Sequence, residues 1–140
     1  MHTALEIARY IINKCIELGK PVSNLQLQKI LYYVQGEFIK ATNGGVLFCD
    51  DISAWQYGPV VTDVYYEYNN YSSNEIDMFQ PQVYLDEYVK DIIDPVIISK
   101  SQMSAWELVK ATHSELPWKE SYNKTSIISK RKLRDYFLGE

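Results

Sequence analysis

Few side chains in this sequence have the types and spacing that catalysis needs. His113 and Glu115 come first, in Ala111-Thr112-His113-Ser114-Glu115-Leu116-Pro117-Trp118. An imidazole beside a carboxylate can serve as a general base. However, no GxSxG, no HExxH and no positioned cysteine accompanies the pair. The same residues suit a helix end, where the imidazole bonds to carbonyls and Trp118 packs beneath it. The helix-end reading is preferred, so no residue is assigned a catalytic role. An enzyme using His113 remains the alternative, and its mark would be a His113→Ala variant that folds but no longer turns over. The only two cysteines are Cys15, within a helical apolar pattern, and Cys49, beside a turn. There is no CxxC and no His–Cys cluster at metal spacing. The expectation is two reduced structural thiols, no metal and no cofactor.

Ala54-Trp55-Gln56-Tyr57-Gly58-Pro59-Val60 is built for contact rather than catalysis. In an extended segment Trp55 and Tyr57 fall on one face. Gly58 precedes a proline, which drives its backbone out of the α region. Pro59 suits the first position of a helix, whose opening turn would present free N–H groups. The segment is then either an aromatic platform beside a helix N-terminus or a strand-to-helix corner stapled by two aromatics. Residue chemistry alone favours the corner, because aromatics bury themselves.

The charges are unevenly spread. The net charge is −4, which argues against general nucleic-acid affinity. Between Val61 and Asp94 stand eight acids and one base; between Lys119 and Arg134 stand six bases and one acid. Ser129 to Phe137 is basic and amphipathic. It could touch phosphate or an acidic protein patch, but a solvated helix face is the simpler reading. A DNA-binding regulator using this helix, with a hairpin as wing, is a further alternative. It predicts steeply salt-dependent binding that is lost on reversing Arg131 and Lys132.

The elements that must position these groups follow from periodicity. Leu5, Ala8, Ile12, Cys15 and Ile16 form a helix stripe ended near Gly19 and Pro21. Ser23 or Asn24 caps a second helix with Leu27, Ile30, Leu31, Val34 and Phe38 inward. Gln28 and Lys29 are expected to point away from that core, and Tyr32 or Tyr33 to find a hydroxyl partner at a boundary. Asn43-Gly44-Gly45 closes the helix. Val46-Leu47-Phe48 and Ile52–Tyr57 read as short strands about a turn at Cys49-Asp50-Asp51. A helix from Pro59 buries Val60, Val64 and Tyr68. The polar segment 75–82 is a loop, expected to be the most mobile part. Residues 86–100 are helical, with a break at Asp94-Pro95, where Asp94 could cap a new helix that Pro95 begins. Ala105, Leu108, Val109 and Thr112 mark another helix, stopped by Pro117. Ile127-Ile128 can form a strand, and Ser129 can cap a last helix. The chain of 140 residues, 46% apolar and 23% charged, suits one domain spanning residues 1–140. It is expected to be mainly α, a bundle of about five to six helices with a small β-hairpin or short strands around residues 46–57. No apolar run reaches the roughly 18–20 residues of a membrane span, and the N-terminus lacks a signal-peptide pattern. A cytoplasmic location with no membrane partner is expected.

Taken in order, these motifs resemble the Panacea-domain family of antitoxins, also described as phage-associated GepA-like proteins. The resemblance rests on Leu25-Gln26-Leu27-Gln28-Lys29-Ile30-Leu31-Tyr32-Tyr33 with Gln35-Gly36. It continues through Ala54-Trp55-Gln56-Tyr57-Gly58-Pro59-Val60-Val61 with Val64-Tyr65, Leu108–His113 with Pro117-Trp118, and Ile127 before Tyr136-Phe137. Ile30 stands where leucine is usual, and the Asp94-Pro95 break and the acidic 71–87 segment depart from the pattern. The resemblance implies a largely helical domain, often carried by prophages, that neutralises a protein toxin encoded beside it by binding and without chemistry. Because members face different toxins, the Trp55–Val60 motif then serves the scaffold or a common clamp. Specificity belongs on variable surfaces such as residues 72–82. On this reading Trp55 and Tyr57 supply contact area, and Lys29 and His113 supply polar anchors near the same corner. The oligomeric state and the toxin's identity stay open.

Overall fold

The second helix stands at the centre of the molecule and organises the rest. The computed structural model describes residues 1–139. Helix α1 is Ala4–Glu17 and α2 is Asn24–Ala41. Each opens on a capping box, Thr3 with Glu6 and Ser23 with Gln26, in which side chain and backbone satisfy each other's orphan groups. Strand β1 (Ile52–Trp55) turns into β2 (Gly58–Val60), and α3 (Thr62–Glu67) runs into one 3₁₀ turn at Asn69–Tyr71. Then come α4 (Glu87–Ser101), α5 (Ala105–His113), α6 (Leu116–Lys119), β3 (Ile127–Ile128) and α7 (Lys130–Leu138). Among the described residues there are thus seven α-helices, and the mainly α expectation holds. The additional helix is α6. Pro117 sits in its first turn, where a missing N–H costs nothing, instead of acting as a stop.

Helix α2 packs against α1, α4, α5, α7 and β2. Leu27, Ile30, Leu31 and Val34 are buried with Ile7, Ile11, Ile93, Ile97, Leu108 and Leu133 from the helices around them. Each fully buried aliphatic side chain of this kind stabilises the fold by about 1.5–3 kcal/mol. At Gly36 a Cβ would collide with the ring of Phe137, so the glycine lets α7 lie against the α2 backbone.

The sheet is antiparallel, in the order β2-β1-β3. Ile127-Ile128 joins it as expected, but the hairpin lies later than the 46–57 reading placed it. Trp55 pairs with Gly58 and Ser53 with Val60, so Gln56-Tyr57 is the turn. Pro59 therefore lies in an edge strand, which tolerates a residue without an N–H, and α3 starts only at Thr62. Residues 46–48 form no strand. Gln35 satisfies their backbone directly, accepting from Leu47 N–H at 2.8 Å and donating to the Phe48 carbonyl at 2.7 Å.

Two further expectations are corrected. Helix α4 continues through Pro95. Pro95 and Asp91 are both exposed, so the carbonyl left unbonded one turn earlier faces water. Asp94 caps nothing there; it accepts from the Tyr10 hydroxyl at 2.6 Å and pairs with Lys14 at 3.6 Å. Gln28 and Lys29 point inward and are buried, because α2 is enclosed on all sides. In the 75–82 segment Ile76 is buried, its N–H donates to the Val22 carbonyl, and Asn13 bonds both backbone groups of Gln80.

Candidate functional site

The backbone of residues 55–61 is gripped by side chains from three helices. The Trp118 indole N–H of α6 donates to the Trp55 carbonyl at 2.8 Å. His113 Nε2, at the end of α5, lies 3.0 Å from the Gln56 carbonyl. The Lys29 amine of α2 donates to the Pro59 carbonyl at 3.4 Å, and Gln28 Oε1 accepts from Val61 N–H at 2.9 Å. Gln28 also donates to Asn24, whose amide donates to the Tyr65 carbonyl at 3.0 Å. The polar residues of α2 thus do what a helix or sheet partner would do for an irregular segment.

Gly58 has a backbone reason to be glycine. Its φ is +113°, and a Cβ there would come within 2.8 Å of Lys29 Cε and 2.9 Å of Thr112 Oγ1. Thr112 is fully buried, and its hydroxyl donates to the Leu108 and Val109 carbonyls.

Beside this corner lies a cavity of about 680 Å³. Lys29, Trp55 and Tyr57 line it, together with Val60, Tyr65 and Gln28. The Trp55 ring meets Tyr65 edge to face at 5.1 Å. Tyr57, 48% exposed, meets Trp106 in the same way at 5.7 Å, and Trp106 is 60% exposed. The two expected contact aromatics therefore differ. Trp55 belongs to the wall, whereas Tyr57 lies in the turn on the rim, so they do not share the face of one strand.

His113 does not line the cavity. It backs it through Gln56 and stacks on Trp118 at 4.0 Å, which stacks on Tyr122 at 4.8 Å. It ends α5 over Trp118, as the sequence reading expected. Glu115 is turned away from it: its two oxygens accept from the Tyr32 and Tyr33 hydroxyls at 2.8 and 2.7 Å. Burial pushes its carboxyl above the usual range, against the pull of both tyrosines. The general-base pair considered above is therefore absent.

Lys29 is the one ionisable amine of the corner. It is fully buried, and burial alone holds it down to about 7. No Asp or Glu lies within ion-pair distance of it among the described residues. Asn24, Tyr65 and Trp106 were missed as site residues. Trp106 was visible in principle, as a tryptophan on the side of α5 opposite Leu108. The other two depend on helix packing.

The basic face of α7 is partly committed to structure. Lys130 donates to the Cys49 carbonyl, and Lys132 donates to the Glu120 carbonyl and to the Ser121 and Thr125 hydroxyls. Among the described residues no group of three or more His, Cys, Asp or Glu is placed to hold a metal ion. None of the described helices is long and apolar enough to cross a membrane.

A scan against protein families matches residues 27–119 to the family described as Antitoxin SocA-like, Panacea domain. The chain belongs to that family. The Panacea match runs from α2 to the end of α6 and so contains Lys29, the hairpin, His113 and Trp118. The chain is also similar to Antitoxin SocA of Caulobacter vibrioides (strain NA1000 / CB15N). The two are 31% identical over 131 aligned residues, covering 82% of this chain and 68% of the relative. No solved structure matches.

Proposed function

We propose that this Panacea-family protein is the cytoplasmic antitoxin of a two-gene system, neutralising a neighbouring protein toxin by direct, non-catalytic binding. The carrying observation is the corner at residues 55–61. Three helices hold it, and it sets Trp55 and Tyr57 on a cavity of about 680 Å³, with the exposed Trp106 of α5 against Tyr57. Exposed tryptophan and tyrosine on a fixed frame are the residues that dominate protein interfaces. Trp55 and Tyr57 are read as contact area, Lys29 as a polar anchor within the cavity, and His113 as a support for the turn. Family membership supports the antitoxin role, and the named relative is itself an antitoxin. The test is to express the neighbouring gene alone and with this one, scoring growth and co-purification. Rescue with a stable complex, weakened at least tenfold by Tyr57→Ala with Trp106→Ala, is the expected result. Toxicity without rescue or complex would refute it.

A further inference from the structure

Among the described residues Lys29 is the only charged one lining the cavity, and none of them supplies it with a counter-ion. Two other charged side chains that are withdrawn from solvent are answered. Glu115 takes two tyrosine hydroxyls, and Asp94 takes Tyr10 and Lys14. Lys29 makes one bond, at 3.4 Å, longer than a good N–H···O contact, and an ammonium has three hydrogens to give. Trp55, Tyr57, Tyr65 and Val60 give the cavity an aromatic and aliphatic wall, while Asn24 and Gln28 of α2 add neutral polar groups to its lining.

We propose that this cavity is a carboxylate site: it takes a segment of the partner protein that places an apolar side chain against the aromatic wall and a carboxylate on the Lys29 amine. The inference rests on the toxin-binding reading for the partner's identity, and it names the chemistry that partner brings. Charge complementarity selects the carboxylate, since an ammonium in an apolar cavity gains most from an anion that is desolvated with it. Gly58 leaves the end of the lysine stem free of side-chain crowding. The four-carbon stem can trade the long bond to Pro59 for a shorter charged one.

The probes are indole-3-propionate and its amide, which match in shape and differ in charge. They are titrated at pH 7 into protein carrying ¹⁵N-lysine and ¹⁵N-tryptophan. The expected result is saturable shifts at the Trp55 indole and the Lys29 amine, with the carboxylate at least tenfold tighter than the amide. Lys29→Met, which keeps a side chain of similar volume, should bring the two probes level. Equal binding of both probes, no binding of either, or carboxylate shifts spread over the exposed lysines would overturn the site. Co-purification with the neighbouring gene product separates the two readings. A chain that prefers the carboxylate but captures no toxin refutes the antitoxin reading and not the site. A chain that captures toxin but treats the probes alike refutes the site and not the antitoxin reading.

Discussion

Replacing Lys29 by methionine should make this protein more stable, and by an amount that depends on pH. The amine's ordinary value is 10.5, and burial holds it at about 7 in the fold. Between those values the unfolded chain binds a proton that the folded chain does not. Raising the pH through that window therefore removes a cost of folding, and stability rises with pH. Below about pH 7 both states are protonated and the whole cost is present. At 1.36 kcal/mol per unit, the interval corresponds to a ceiling of about 5 kcal/mol, falling to about 1 kcal/mol by pH 10. Lys29→Met removes that cost, keeps most of the stem's packing, and forfeits the bond to the Pro59 carbonyl, worth about 1 kcal/mol. The expected net gain is about 2–4 kcal/mol at pH 6.5, as seen when buried charges are replaced by apolar residues of similar volume. By pH 10 it should vanish. Urea unfolding of both proteins from pH 6.5 to 10 measures the difference, in which all other titrating groups cancel. A Lys29→Met variant less stable at pH 6.5, or a difference that does not change with pH, would show that the amine is not confined as described.

Two further perturbations probe the same frame. Gly58→Ala forces a side chain into φ +113° and against Lys29 Cε and the locked Thr112 hydroxyl. It should cost about 2–4 kcal/mol in urea unfolding, and a loss below about 1 kcal/mol would contradict the packing. Tyr32→Phe removes a hydroxyl that donates to Glu115, a bond worth about 1.5–3 kcal/mol while the carboxylate is ionised. The Glu115 carboxyl is raised in the fold, so its contribution to stability falls as pH rises through its folded value, and losing a bond to the ionised form moves that value higher. The variant should therefore be hurt more at pH 7 than at pH 4, and an equal loss at both would refute this reading.

What sequence alone determined here is the local part. Ser23 and Ser129 could be read as caps, and Thr3 and Ser104, which the sequence reading passed over, act by the same rule, because a cap needs only residues within three positions; the apolar stripes announce which helices exist. Trp55, Tyr57 and Gly58 stand out for the same reason: their types are unusual at that spacing. Tertiary structure decided the rest. Gln28 and Lys29 look like an outward face until α1, α4, α5, α7 and β2 surround α2. Pro59 reads as a helix start until β1 pairs with it. Glu115 seems a partner for His113, two residues away, but it bonds tyrosines more than eighty positions earlier. A burial pattern within one helix cannot say how many neighbours that helix will have. A polar side chain's direction, and with it the charge state of Lys29, depends on that number.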